Sequence, residues 1–189
     1  AILGLGRLAR GKADTPGARL ALLLILATIP AVLFGLAIKL SGLDEQMRSM
    51  AVIGWTMLGF GLVLYWADQK GETHKQAAGW TLRDALMMGL AQALALIPGT
   101  SRSGITITAG RWLGYGREDA AKLAMLMSIP IIAASGVLLG AEVALNGDVG
   151  AARDGAIAAG LAFVAALAAL SLMMRLLRSV SFTPYVIYR

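Results

Sequence analysis

Cysteine is absent from this 189-residue chain, and histidine occurs once, at His74. The first absence excludes a disulfide framework and a thiolate metal site, and the second excludes a histidine-rich metal cage built from this chain alone. Acids are scarce as well: 11 Asp and Glu stand against 17 Lys and Arg, for a formal charge of +6, and charged residues of both signs make up only 15% of the chain. What fills the chain instead is apolar, at 58% of residues and a mean hydropathy of +0.72. A soluble domain of this length has no use for that balance, because its surface would be mostly apolar. The chain therefore reads as an integral membrane protein. The excess of positive charge does not argue for a nucleic-acid partner, because the basic residues sit in short loops between apolar runs, where the positive-inside rule explains them better.

Four runs are long and apolar enough to cross a bilayer, over residues 19–41, 50–67, 119–143 and 155–177. The first follows a basic stretch, Arg7, Arg10, Lys12 and Arg19, that lacks the pattern of a signal peptide. Pro30 and Pro130 fall inside predicted spans, where membrane helices accept them as kinks. Tyr65 and Trp66 close the second span with aromatics suited to a membrane interface, and His74 beside Glu72 and Lys75 reads as a solvated loop residue. Gly136 and Gly140 form a G-x-x-x-G pair that reads as helix packing. Residues 182–189 begin one more apolar segment, which stops too soon to span.

Two further apolar segments, 82–97 and 104–114, are each roughly 15 to 20 Å long as helices, against an apolar bilayer core of about 30 Å. Between them lies Ile97-Pro98-Gly99-Thr100-Ser101-Arg102-Ser103-Gly104-Ile105-Thr106, a group of hydroxyls around one arginine. A guanidinium stays charged at any relevant pH and costs roughly 3 kcal/mol at mid-membrane, so Arg102 there is expected to meet an anion. Three hydroxyls, two glycines that admit a close backbone and a helix start near Gly104 together suit phosphate oxygens. Gly99 and Gly104 carry the outer spacing of a nucleotide-binding P-loop, but Ile105 stands where that motif needs its lysine. An ordinary extramembrane turn is the plain alternative, since Pro-Gly and Ser-Gly are common turn pairs.

Loop charge separates one broken crossing helix from a re-entrant pair. With a re-entrant pair, Arg7, Arg10, Lys12, Arg19, Lys70, Lys75, Arg83, Arg111, Arg117, Lys122, Arg175 and Arg178 fall on one face, and Lys39, Arg48 and Arg153 on the other. A single crossing nearly erases that asymmetry, so the expectation is an all-α, polytopic single membrane domain over 1–189. A re-entrant helix pair enters it from the cytoplasmic side.

Residues 89–104, Gly-Leu-Ala-Gln-Ala-Leu-Ala-Leu-Ile-Pro-Gly-Thr-Ser-Arg-Ser-Gly, continuing to Thr106, resemble the second signature of the bacterial undecaprenyl-diphosphate phosphatases of the BacA type. Gly114 to Glu118 and Ser128-Ile129-Pro130 are also similar to that family. The resemblance implies a multi-pass enzyme of the bacterial cytoplasmic membrane that hydrolyses undecaprenyl diphosphate to undecaprenyl phosphate and inorganic phosphate. That reaction recycles the carrier for peptidoglycan synthesis and is tied to bacitracin resistance. Matched by motif position, Ser101, Arg102 and Thr106 are the catalytic candidates, with Arg102 the phosphate clamp. Gly99, Thr100, Ser103, Gly104 and Gln92 are the substrate-binding candidates. The resemblance also implies a divalent cation, Mg or Ca, for which no ligands are identified in this chain, and it leaves a homodimer open.

The family's other signature, an amino-terminal re-entrant segment with two glutamates, a Ser-Ser-Thr run and a histidine, has no counterpart here. The expectation is a chain without the family's first helices and the end of its last one, inactive by itself, and half of an inverted-repeat architecture. The competing reading is a membrane transporter or lipid flippase that uses the same re-entrant helix ends as an anion site.

Overall fold

The computed structural model describes residues 15–43, 47, 49–146 and 149–188, and the expectations that rest on Arg7, Arg10, Lys12 and Arg48 lie outside them. The order is α1 (Pro16–Ser41), α2 (Met50–Lys70), a 3-10 turn (Ala77–Gly79), α3 (Leu82–Ala93), a 3-10 turn (Leu94–Leu96), α4 (Arg102–Trp112), α5 (Arg117–Asn146), α6 (Val149–Leu176) and α7 (Thr183–Tyr188). Among the described residues no strand forms, and the one β-like feature is an isolated bridge between Lys75 and Tyr115. Helices α1, α2, α5 and α6 are long and apolar enough to cross a membrane. The chain is an all-α, multi-pass membrane protein.

Helix starts follow local chemistry. Thr15 caps α1 by accepting from the Ala18 N–H at 3.3 Å, with Pro16 in the first turn, where a missing N–H costs nothing. Ser49 caps α2 through Val52 N–H at 3.2 Å, and Thr81 caps α3 through Asp84 N–H at 3.2 Å. The sequence places a polar turn up to Asp154, but α6 is already helical from Val149. Ala151 and Ala152 are strong helix formers, so the helix continues past the end of the apolar run that marks the bilayer. Helix α5 likewise runs three residues beyond the expected 119–143 at its C-terminal end and two at its start.

Helices α3 and α4 form a hairpin whose two ends meet. The His74 and Lys75 N–H groups donate to the Gly114 carbonyl at 3.1 and 2.9 Å, so the segment entering α3 lies beside the segment leaving α4. Lys75 Nζ sits 3.2 and 3.1 Å from the two oxygens of Asp84, and the Tyr115 hydroxyl donates to Asp84 Oδ2 at 2.7 Å. Beside this lies a second polar cluster. Arg111, only 3% exposed, donates to the carbonyls of Asp68, Gly71 and Tyr115 at 3.1, 2.7 and 2.7 Å. The Asp68 carboxylate accepts from Arg117 Nε at 2.7 Å and from Phe182 N–H at 3.1 Å. A buried arginine is tolerable only with its charge and most of its donors met; here both terminal nitrogens donate, and Nε, without a hydrogen bond, lies 3.4 Å from the Asp68 carboxylate.

The hairpin occupies the middle of the bundle. Helix α4 packs against α2, α3 and α5, while α1 lies along α3. A Cβ on Gly89 would run into the Ala27 carbonyl, so α1 and α3 approach at backbone distance, the packing that small residues permit in membranes. The core gathers Leu24, Leu64, Met88, Ile107, Tyr115, Leu123 and Met127 around the hairpin. Outward faces are apolar too, with Leu33, Trp55, Leu62, Val137, Leu161 and Phe163 more than half exposed. Such surface fails in water and suits hydrocarbon. At the hairpin base, Trp66 and Trp112 meet edge to face at 6.0 Å with Lys70 over the Trp66 ring, an arrangement suited to a membrane interface.

Candidate active site

The tip of the hairpin, residues 94–103, is held against α2. The Thr56 hydroxyl donates to the Pro98 carbonyl at 2.6 Å. Gly99 has φ +89°, and a Cβ there would collide with Thr56 Oγ1 and the Ile53 carbonyl, so only glycine fits both the backbone angle and the space. Thr56 lies 12 residues of α2 from Asp68, which places the tip about 18 Å from the clamped base.

Helix α4 begins at Arg102, two residues before the expected start. Ser101 takes the N-cap position, its Oγ accepting from the Gly104 N–H at 3.2 Å and lying 3.2 Å from Ser103 Oγ. The cap explains the earlier start, because a serine before a helix satisfies a first-turn N–H that otherwise lacks a partner. It also occupies the Gly104 N–H, leaving the Arg102 and Ser103 N–H groups as the open first-turn donors.

Arg102 is half-buried, and its guanidinium has no hydrogen bond or ion pair among the described residues. Arg111, on the same helix, donates to carbonyls throughout the base, so the contrast is between a structural arginine and an open one. Two more candidate side chains, one on α3 and one in the tip, lack hydrogen-bond partners among the described residues. Both amide atoms of Gln92, which is 2% exposed, and the Thr100 hydroxyl, 6% exposed, are buried without a hydrogen bond. Each such group costs about 1–3 kcal/mol, a cost that asks for an explanation in function or in a bound partner.

The candidates thus divide. Ser101, Arg102 and Ser103 share the first turn of α4, with Gly99 and Thr100 just before it. Thr106 is fully buried one turn further in, and its hydroxyl donates to the Arg102 and Ser103 carbonyls at 2.8 and 3.1 Å. It braces the turn that carries the arginine. Sequence reasoning missed Thr56, whose only signal is a hydroxyl in an otherwise apolar helix. It also read Arg111, Lys75 and Arg117 only as loop charges, although they clamp the hairpin.

The tip does not fit a divalent cation with the described residues alone. No group of three or more Asp, Glu, His or Cys forms among them. Asp68 and Asp84, the buried carboxylates, are committed at the base, and a hard cation beside the Arg102 guanidinium needs carboxylate oxygens that the tip does not bring.

Comparison with known proteins gives the family. The family described as "Bacitracin resistance protein BacA" matches residues 2–189. An "Undecaprenyl-diphosphatase" of Roseobacter denitrificans is 73% identical over 183 residues, which cover 97% of this chain and 68% of the relative. Its namesake from a Jannaschia species is 68% identical over all 189 residues, 71% of that protein. A more distant one from Chromohalobacter salexigens is 45% identical over 182 residues. An open arginine on a hydroxyl-rich, glycine-positioned helix start, in a match this long and this close, identifies the chain as a member of the BacA family.

Proposed function

We propose that this chain acts as an undecaprenyl-diphosphate phosphatase of the bacterial cytoplasmic membrane, with the α3–α4 hairpin entering the bilayer from the cytoplasmic side and returning. The observation that carries the reading is the unpaired Arg102 guanidinium at the start of α4. Placing an unneutralised cation in an apolar bundle is unfavourable until an anion arrives, and a terminal phosphate meets the planar fork with two oxygens. The Arg102 and Ser103 N–H groups and the positive end of the helix add to the same pole.

In the reaction, water adds to the terminal phosphorus, the anhydride P–O bond breaks, and the polyprenyl phosphate leaves. The attacking oxygen ends on inorganic phosphate. Charge spreads over the equatorial oxygens in the transition state, and fixed donors aimed there lower its energy. Arg102 supplies this charge, with Ser101 and Ser103 beside it. The proton released by water goes to a group outside the described residues, because no carboxylate among them reaches the tip.

Release of inorganic phosphate from undecaprenyl diphosphate in detergent tests the reading, run beside anion uptake and lipid movement in sealed vesicles. Phosphate release abolished by Arg102→Ala supports it. Uptake or lipid movement without hydrolysis would replace it with the transporter reading.

A further inference from the structure

The chain reaches Arg102 through a tight turn. The Thr100 N–H donates to the Ile97 carbonyl at 3.1 Å, with Pro98 and Gly99 at the two central positions and Gly99 at φ +89°. A proline followed by a positive φ is the pattern of a type II turn. Its middle peptide, made of the Pro98 carbonyl and the Gly99 N–H, is the one whose half-rotation converts type II to type I, and glycine accepts either form. That carbonyl is the atom that the Thr56 hydroxyl meets at 2.6 Å, reaching across from α2. The hydroxyl has one proton and two other carbonyls in reach, those of Val52 and Ile53 at 2.8 and 3.0 Å. Both lie inside α2 and already serve as acceptors for helix N–H groups, so the proton goes to the shortest contact, Pro98.

We infer that Thr56 is a positioning residue for the reaction: its hydrogen bond to the Pro98 carbonyl holds the turn in the form that aims Arg102 at the terminal phosphate. The effect on turnover rests on the phosphatase reading. The path from Thr56 to the guanidinium is short. Pro98 leads through the closed Ile97–Thr100 turn to Ser101, whose Oγ fixes the first turn of α4 by accepting from the Gly104 N–H, and Arg102 is the first residue of that helix. A rotated middle peptide would redirect the chain into Ser101, and with it the helix start that carries Arg102. A second neighbour of the tip cannot do the same. On the α1 side Leu96 packs over Gly35, where an added Cβ would meet its methyl groups at 3.7 and 3.9 Å. An apolar contact of this kind keeps the tip close but sets no peptide orientation, because burial is non-directional.

The test compares Thr56→Ala with Thr56→Ser in the full-length protein, a pair that differs by the hydroxyl alone. Position 56 is half-buried in a helix, where alanine is a strong helix former, so both variants should fold. On undecaprenyl diphosphate, Thr56→Ala is expected to lower kcat about tenfold with KM within about twofold, because a displaced fork still meets the ground-state charge and no longer matches the transition state. Thr56→Ser should stay within about twofold of the parent. In an Arg102→Lys background the same Thr56→Ala change should cost less than about twofold, since two residues on one path do not lose independently. A second tenfold loss in that background, failure of serine to rescue, or an unchanged kcat in Thr56→Ala overturns the inference. Backbone hydrogen exchange supplies a readout independent of hydrolysis. Faster exchange over residues 97–104 in Thr56→Ala, restored in Thr56→Ser, supports the anchor even if the parent protein hydrolyses nothing, in which case the phosphatase reading falls and the anchor stands. Unchanged exchange over 97–104 overturns the inference even where activity drops.

Discussion

At the scale of single residues, the proposed site turns on Arg102, whose guanidinium has no hydrogen bond or ion pair among the described residues. Arg102→Lys keeps the charge and loses the fork, and lysine reaches one oxygen where arginine reaches two. The expected outcome is a fall in kcat of about a hundredfold or more, with the yield of folded protein unchanged, read from phosphate release and size-exclusion profiles. The arginine and its hydroxyls are legible in the sequence because a charge set between two short apolar segments has to be accounted for. Gly99 is legible as a turn, but its collision with Ile53 and Thr56 is not, since nothing local says which helix the tip will lean on. Thr106 differs: motif position proposes it as catalytic, and its hydroxyl donates to the Arg102 and Ser103 carbonyls of its own helix, a contact the motif does not announce.

At the scale of elements, the hairpin is closed at its base by groups that read as solvated. Burial and the hydrogen bond to Asp84 push the Tyr115 phenol well above the usual tyrosine range. A raised phenol pKa means that the fold favours the neutral form. That stabilisation is complete below the ordinary tyrosine pKa of about 10 and is lost as pH rises beyond it. Thermal melts in detergent should therefore weaken above about pH 10, and Tyr115→Phe should flatten that alkaline decline while costing about 1–3 kcal/mol at neutral pH through the lost hydrogen bond to the buried Asp84 carboxylate, which keeps only Lys75 on that oxygen. The proposed re-entrant hairpin also predicts a topology. With the native chain free of cysteine, single replacements at Glu72 and Glu118 should label from one side of the membrane and at Asp154 from the other. Labelling of Glu72 and Glu118 positions from opposite sides would remove the re-entrant reading. Segment length pointed to a pair of short helices, which α3 and α4 are. The ion clusters that close it were invisible, because Asp68 and Arg111 lie 43 residues apart.

At the scale of the whole molecule, the described residues bring one arginine and several hydroxyls to the tip, with no carboxylate hydrogen-bonded to them. Phosphoryl transfer also needs proton handling and further charge neutralisation. The apolar runs made the spanning helices readable from composition. Their mutual packing was not readable, because in hydrocarbon both the inside and the outside of the bundle are apolar and the sequence does not mark which face is which.

The closed base has a mechanical consequence. Because the strands of chain entering and leaving the hairpin are fastened to each other by Gly114, Tyr115 and Asp84, tension applied to the loop before α3 is carried across to the segment after α4 without stretching the two arms apart. In single-molecule extraction from a bilayer by force, α3 and α4 should come out as one unit in one rupture event. Tyr115→Phe should lower that rupture force, and Asp84→Ala should split the event in two.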